Sequence, residues 1–253
     1  MLFQHVTASA LQADWLNDPE FRFEVRQTGK TGELAKRIIR KHPPLEAMAR
    51  ASLGIQAYNS SKHTREQIQA RVFHAPRKVS KDYLPELAGN DVQRYFVDRK
   101  KGQWIKYGPW LHDFRTMDWL RGPRILVREI AGKWPYRIHG CYLEDTFCNY
   151  KTILNINPSS ATDFSMKYLL GILNSRFLSF LYPLVSDKIV AGSFPRLSVR
   201  DLRRLPIRSI NFSDSADKAL HDRMVQIVDS MLALHKQLAW ISTDNYSPKS
   251  GGV

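Results

Sequence analysis

The stretch RILVREIAGKWPYRIHGCYLEDTFCNYKTILNI (residues 124–156) decides the fold class. Three of its segments, 124–130, 136–143 and 151–156, alternate apolar and polar residues and are separated by short turns. Alternation with a period of two predicts half-buried strands. Because predicted helices follow these strands, the sequence indicates an α+β fold: a twisted, mostly antiparallel sheet with packed helices and a long C-terminal helix.

Two helices are predicted after the strands. The first begins at a cap formed by Asp163 or Ser165 and runs to about Leu181, before Pro183. The second follows residues 213–214 and places apolar residues at alternating steps of four and three: Leu220, Met224, Ile227, Met231, Leu234 and Leu238. Such a heptad seam fits either a helix packed on its own domain or a coiled-coil contact with a partner helix.

Shorter elements are predicted before the strand-rich stretch. A helix at 33–42 ends at two prolines, and a second short segment covers 45–53. Segments 92–97 and 103–107 flank a basic turn, which predicts a hairpin with a charged tip.

The chain is divided by these patterns into four parts. Residues 1–31 form a lead-in arm, and residues 32–212 form the main domain. The heptad-patterned helix covers 213–243, and 244–253 is expected to be a disordered tail.

The charge balance of the 253 residues points to a polyanionic partner. Thirty-eight Lys and Arg stand against 24 Asp and Glu, which gives a net charge of +14, and the isoelectric point is near 9.9. With 43% apolar residues the chain is globular rather than disordered or collagen-like. Nucleic acid is the first expectation and an anionic membrane the second.

Several classes of protein are disfavoured by the motifs. The longest apolar stretch, 168–185, is interrupted by polar residues, no signal peptide is recognised, and only two cysteines occur, so a cytoplasmic protein is expected. His139, Cys141 and Cys148 lack the spacing and the fourth ligand of a structural zinc site. A phosphate loop, a nucleophile elbow, an Asn-Pro-Pro-Tyr type methyltransferase motif and a nuclease carboxylate cluster are not found. The chain is therefore interpreted as a binder without a cofactor of its own.

Half of the net charge lies in 44 residues. From Arg94 to Arg137 eleven Lys and Arg face four acids, a net +7, and Trp104, Trp110, Trp119 and Trp134 lie among them. Cations and aromatics on one sheet suit phosphate contact and base packing, although each tryptophan alone is more typical of a core. A second basic cluster contains Arg196, Arg200, Arg203, Arg204 and Arg208. The candidates for DNA contact are Arg94, Arg99, Lys100, Lys101, Arg115, Arg121, Lys188 and Arg196.

The order of short motifs resembles a known family. The matching pieces are 45–56, 83–95, 122–130, 149–153, 168–175 (Tyr-Leu-Leu-Gly-Ile-Leu-Asn-Ser), 192–197, 205–207 and 228–234. Together they resemble the C-terminal specificity (target recognition) domain of TaqI-like adenine methyltransferases and the fused restriction–modification enzymes related to them, over roughly 32–240. Ala57 and Tyr58 depart from the family, which usually has Thr-Gly there. Asn174 and Ser175 fit the family and are interpreted as structural.

The resemblance implies sequence-specific binding of double-stranded DNA. A methyltransferase or nuclease domain or subunit is the implied partner, and S-adenosylmethionine is expected only in that catalytic half, which the family places before this domain. The target adenine would be flipped into the partner's pocket. An expressed fragment, a truncated gene product and a separate specificity subunit are the three origins considered for such a chain.

Three rival functions stay open at this point. A small nuclease would need a carboxylate set that the sequence does not supply. A protein-interaction module would dock through the helix at 214–243 with incidental basic charge. An RNA-binding protein would carry the same charge and aromatics.

Overall fold

The computed structural model describes residues 29–99, 102–186 and 196–244, with side chains as far as Leu238. Within these residues there are ten strands: β1 (Ala49–Leu53), β2 (His74–Ala75), β3 (Tyr83–Leu87), β4 (Val92–Gln93), β5 (Phe96–Val97), β6 (Trp104–Lys106), β7 (Arg124–Arg128), β8 (Gly140–Leu143), β9 (Cys148–Asn149) and β10 (Ile153–Pro158). The α-helices of the same residues are α1 (Gly29–Lys41), α2 (Arg65–Gln69), α3 (Met166–Leu173), α4 (Arg176–Val185), α5 (Val199–Arg203) and α6 (Ser215–Asp244). The mixed fold with antiparallel pairing and a long C-terminal helix confirms the predicted fold class.

The strands form two four-stranded sheets and one small hairpin. One sheet has the order β1–β10–β7–β8, and all of its pairs are antiparallel. It packs with α1 and α3–α6 into what we call the large lobe. The other sheet has the order β2–β6–β3–β9, with one parallel pair, β3–β9. This sheet and residues 55–87 and 103–122 around it are called the small lobe.

Alternation along the central strands divides their side chains between two hydrophobic clusters. In β7, Ile125 and Val127 belong to the main cluster against the helices, whereas Leu126 points to a smaller one that it shares with Val92. In β10, Ile153 likewise belongs to the smaller cluster and not to the main one. Because both faces of these strands are covered, their side chains are fully buried, as expected for strands inside a layered fold.

The first predicted helix is interrupted at Asn174. Ser165 caps α3 as predicted, but the helix ends at Leu173, and the hydroxyl of Ser175 accepts the N–H of Leu178 to start α4. Pro183 does not end α4, contrary to the prediction. A proline leaves the carbonyl four residues earlier without its helical donor. That carbonyl belongs to Ser179 and accepts a hydrogen bond of 3.1 Å from the guanidinium of Arg137, so the helix continues.

The long helix α6 packs on α3 by one face and leaves most of its heptad seam exposed. Gly171 of α3 permits the close approach, because a Cβ there would lie 2.6 Å from the sulfur of Met224. Val228 is buried in the same contact. Four of the six seam residues, Leu220, Ile227, Leu234 and Leu238, are exposed. The helix is therefore packed on its own domain, and the seam itself forms an uncovered apolar stripe.

The predicted hairpin between 92–97 and 103–107 is wrong. The strand β4 pairs with β5 across a two-residue turn, and β6 instead joins β3 and β2 in the small lobe. Tyr95 in that turn has φ +70°, a left-handed conformation that is uncommon for a residue other than glycine. Its N–H donates to the carbonyl of Gly140, which attaches the turn to the large lobe.

Neither a single membrane-spanning helix nor a metal-binding cluster occurs in the described residues. In these residues no single helix is long and apolar enough to cross a bilayer, whereas α3 and α4, bent by 72°, pass the same test as a pair. Nine of the 18 residues of that pair are buried in the main cluster, and three more pack against it. Across 29–99, 102–186 and 196–244, no cluster of three or more His, Cys, Asp or Glu could hold a metal ion.

Candidate nucleic-acid interface

The small lobe carries five exposed cations between α2 and β3, which we call the basic rim: Arg65, Arg71, Arg77, Lys78 and Lys81. Two acids, Glu66 and Asp82, lie in the same stretch, so five charges against two leave a net +3 over 65–82. In the part of the chain that the structure describes, these cations form no side-chain ion pair. Exposed and unpaired cations are available to phosphate oxygens.

A chain of hydrogen bonds fixes the backbone behind the basic rim. The hydroxyl of Tyr58 lies 2.8 Å from Nδ1 of His74, and Nε2 of His74 lies 3.0 Å from a carboxylate oxygen of Glu86. A carboxylate only accepts, so Nε2 carries the proton on that side. The N–H of Phe73 donates to the Tyr58 hydroxyl, and the two rings stack 5.3 Å apart. Burial raises the pKa of Tyr58, which keeps the phenol protonated.

These hydrogen bonds give Tyr58 a structural role at a position where the resemblance leads us to expect glycine. Tyr58 supplies a hydroxyl that a glycine would lack, and that hydroxyl holds both Phe73 and His74 at the start of β2.

An open cavity of about 640 Å³ lies beside His74. Its lining residues are Ala70, Arg71, His74, Ala75, Pro76 and Gln103. The wall thus combines small apolar groups with a guanidinium and a carboxamide, a mixture typical of sites with a few orienting polar groups.

Comparison with known proteins assigns the middle of the chain. Residues 84–207 match the family model described as the TaqI-like C-terminal specificity domain. Over these residues, 124 of the 253, the chain resembles that family. The match begins at Leu84 in β3 and ends at Ile207, so the basic rim precedes it. It includes Gln103 and the strands of the large sheet except β1.

Individual proteins similar to this specificity domain come from restriction–modification systems. RM.MjaORFECS2P of Methanocaldococcus jannaschii, named as a type II restriction enzyme and methyltransferase, is 28% identical over 134 residues. The match takes in 52% of this chain but only 11% of that protein's length. Among solved structures, the HsdS subunit from Thermoanaerobacter tengcongensis has a TM-score of 0.38 at 13% identity, covering 86% of this chain and 46% of that one. The type IIL restriction–modification enzyme MmeI in complex with DNA has 0.47 at 12%, covering 82% and 29%.

Three of the predicted DNA-contact residues, Arg94, Arg99 and Arg115, donate hydrogen bonds to groups of the protein itself. Arg94 lies 3.6 Å over the ring of Tyr136 and donates to the carbonyl of Asn174. Arg99 donates to the carbonyls of Glu86 and Gln103, and burial lowers its pKa. These bonds hold protein segments together, so contact of Arg94 and Arg99 with DNA stays a prediction that would require side-chain rearrangement.

Arg115 is also engaged, in a bidentate pair with Asp113. Its guanidinium contacts both carboxylate oxygens, one of them at 2.9 Å, and donates from Nε to the carbonyl of Leu53. Arg121 is exposed, and the side chain of Arg196 is 67% exposed with Glu129 at 3.9 Å. The structure therefore leaves Arg121 and Arg196 accessible. The remaining candidates, Lys100, Lys101 and Lys188, lie outside the described residues.

Other arginines of the two basic clusters also serve the fold. Arg124 is fully buried and donates to the carbonyls of Asp145 and Phe147, and burial lowers its pKa to about 10. Arg203 donates to the carbonyl of Ala51. These arginines therefore hold protein segments together, and their charge is not freely available to DNA.

Each tryptophan of the basic stretch has a cation of the protein over its ring. The pairs are Trp104 with Arg99, Trp110 with Lys106, Trp119 with Arg50 and Trp134 with Arg137, at 4.7–5.7 Å between the cation and the ring centre. Trp134 is the most exposed of the four, with 55% of its surface accessible. The tryptophans thus mainly anchor cations, and Trp134 retains an open surface.

The basic rim was not among the predicted site residues. Its signal in the sequence is five cations against two acids within the 18 residues 65–82. The stretch 94–137 contains more positive charge in total, and most of the predicted DNA contacts were therefore placed in it. Only the three-dimensional contacts separate cations that face solvent from cations that hold the fold together.

A pH dependence follows from His139, which is half-buried behind Arg94. Its Nε2 lies 3.1 Å from the carbonyl of Tyr136, and its buried Nδ1 has no partner within the described residues. Burial lowers its pKa, and the charges of Arg128 and Arg94 lower it further. An unfolded histidine titrates near pH 6.5, so below that pH the unfolded chain binds more protons. We expect the unfolding free energy to fall as the pH drops through about 6.5.

The measurement is urea unfolding of the wild type and His139→Gln at pH 7.5 and pH 5.5. Glutamine keeps a donor for Tyr136 but does not titrate. The wild type should lose more stability on acidification than the variant, with His42 and His235 as a shared background. Equal losses would contradict the assignment to His139.

Proposed function

We propose that this chain recognises a short sequence in double-stranded DNA, as the specificity domain of a restriction–modification adenine methyltransferase. The resemblance to the specificity-domain family over residues 84–207 supports this class of function. The main observation in this chain that supports the proposal is the basic rim. Its five cations are exposed and unpaired within the described residues.

Cations that are free to contact phosphate contribute more to DNA affinity than cations that already contact groups of the protein. Each phosphate contact releases counterions, so that affinity falls with salt by a slope of about −0.9 per contact. Cations such as Arg94, which already stack and donate inside the protein, contribute less to this term than the basic rim. Arg121 and Arg196 add two accessible charges from the predicted set.

The catalytic partner is a methyltransferase or nuclease domain or subunit in the cytoplasm, and S-adenosylmethionine belongs to that partner. The uncovered stripe of α6, formed by Leu220, Ile227, Leu234 and Leu238, is a surface of the kind that a partner helix covers. The specificity domain would hold the DNA while the partner receives the flipped adenine.

The test is binding of the purified chain to a randomised duplex pool, with selection, sequencing and a salt titration. We expect enrichment of one short site. The triple variant Arg77→Ala/Lys78→Ala/Lys81→Ala should bind about 10- to 1,000-fold more weakly at low salt, with a salt slope smaller by up to about 3.

A matched control removes the same charge from the large lobe. Arg176, Arg223 and Lys236 are exposed on α4 and α6, and their triple alanine variant should bind nearly as the wild type does, because these helices belong to the large lobe and not to the small lobe that carries the basic rim. Equal losses in both triples would contradict a located interface.

The rival functions give different outcomes in the same experiment. Ile227→Gln/Leu234→Gln should leave duplex binding unchanged, whereas a pure interaction module would bind no DNA and lose its partner with this variant. Preference for duplex RNA in competition would favour the RNA-binding alternative.

A further inference from the structure

The cavity beside His74 has one wall formed by a residue in an unusual backbone conformation. Arg71 has φ +48°, in the left-handed region that residues other than glycine seldom adopt. Three backbone hydrogen bonds hold this turn: Arg71 to Ile68, Val72 to Gln67, and His74 to Arg71. The conformation persists because the neighbouring structure enforces it, and such positions are concentrated at functional sites.

The side chain at this position is available for binding. Arg71 is exposed, lines the cavity, and forms no ion pair or side-chain hydrogen bond within the described residues. Its charge is felt by the hydroxyl of Tyr58, so the guanidinium lies near the hydrogen-bonded chain behind the cavity.

Gln103 contributes a second polar group to the same cavity. Its carbonyl accepts the N–H of Glu86 at 2.8 Å and a guanidinium N–H of Arg99 at 2.6 Å, so its backbone is fixed from two sides. Its half-buried carboxamide has no hydrogen-bond partner in the described part of the chain. Arg99 is therefore a positioning residue, because it fixes the backbone of Gln103.

The remaining lining does not compete for polar contacts. Both ring nitrogens of His74 are occupied by Tyr58 and Glu86. Ala70, Ala75 and Pro76 offer only small apolar surfaces to the cavity. Arg71 and Gln103 are thus the two groups of this cavity that can select a ligand by hydrogen bonding.

We propose that Arg71 and Gln103 determine sequence specificity by contacting the major-groove edges of two bases, a guanine at Arg71 and an adenine at Gln103. This inference rests on the proposed DNA binding. A guanidinium fork matches O6 and N7 of guanine, and a carboxamide matches N6 and N7 of adenine. The other cations of the basic rim, which do not line the cavity, supply phosphate contacts without sequence preference.

The test compares site preference, not affinity alone. Arg71→Gly removes the fork and relieves the left-handed backbone, so the variant should fold at least as well as the wild type. Arg71→Lys keeps the charge and loses the fork. In selection from the randomised pool, both should lose the guanine preference at one position, with about 10- to 100-fold weaker binding to the wild-type site.

A second position of the site should respond to Gln103. Gln103→Leu should abolish the adenine preference there, and Gln103→Glu should move it towards cytosine, whose amino group donates to a carboxylate. The matched control is Arg77→Ala, which should weaken all sequences about equally and leave the selected site unchanged.

The outcomes separate this inference from the proposed function. Wild-type enrichment that persists unchanged in Arg71→Lys and in both Gln103 variants would overturn the inference while leaving DNA recognition intact. A wild-type chain that binds no duplex at low salt would overturn the proposed function itself, and the inference with it.

Discussion

Asn174→Asp should destabilise the protein by about 3–5 kcal/mol, because it places an uncompensated charge in the core. Asn174 is fully buried, and its amide forms two hydrogen bonds of 2.9 Å with the backbone of Gly140, one to the N–H and one to the carbonyl. A carboxylate can accept from that N–H but repels that carbonyl, to which Tyr95 also donates.

The free energy of unfolding is measured by urea titration at pH 7. Asn174→Ala leaves polar groups unpaired without adding charge and should lose about 2–3 kcal/mol. Burial raises the pKa of an introduced aspartate, so the folded variant binds the extra proton more readily than the unfolded chain. The difference in the free energy of unfolding between Asn174→Asp and Asn174→Ala should therefore become smaller as the pH falls.

Asn90→Asp is the matched control. Asn90 is exposed, and the same chemical change there should alter stability by no more than about 0.5 kcal/mol. A loss below about 1 kcal/mol for Asn174→Asp would show that the pairing with Gly140 is not a major support of the fold.

Gly54→Ala is expected to cost about 3–4 kcal/mol, from steric overlap plus at least one lost backbone hydrogen bond. A Cβ at Gly54 would lie 2.2 Å from the carbonyl oxygen of Asn149 and 2.5 Å from that of Tyr150. Neither oxygen can move away freely, because the carbonyl of Asn149 accepts the N–H of Ile55 and that of Tyr150 accepts the N–H of Ile153. The position joins β1 of the large lobe to the small lobe, so the strain would reach both.

Gly122→Ala separates crowding from backbone preference. Gly122 has φ +78° with no atom within 4 Å of a built Cβ, and alanine there should cost about 1 kcal/mol. Thermal and urea unfolding of both variants provide the comparison. If Gly54→Ala loses no more than Gly122→Ala, the close approach at Gly54 does not limit stability.

Local patterns predicted the parts of the fold that depend on near neighbours. Alternation at 124–130 predicted β7, and of the two predicted caps, Asp163 and Ser165, it is Ser165 that caps α3. The predicted hairpin failed because β6 finds its partners in β2 and β3, and no local signal marks such pairing. The continuation of α4 through Pro183 likewise depends on Arg137, 42 residues from the carbonyl that it satisfies.

The class of the candidate site was predicted from the sequence, and its contact residues stay a prediction. Net charge and motif order indicated a DNA-binding specificity domain, which the family match confirms over 84–207. Which cations face solvent is decided by distant partners, such as Asn174 for Arg94, 80 residues away. The pairing of Arg115 with Asp113 joins residues only two positions apart, but the sequence analysis did not predict it.

The hairpin β4–β5 restricts how this protein can be recombined with relatives. The small lobe is assembled from stretches on either side of that hairpin, whereas the hairpin itself contacts α6, where the ring of Phe96 stacks 4.8 Å from that of His235. A transplant of 55–122 as one cassette would therefore also exchange a contact to the C-terminal helix. A chimera that preserves this packing would exchange 55–87 and 103–122 together with β9, and would keep the native hairpin as the fixed boundary between donor and host.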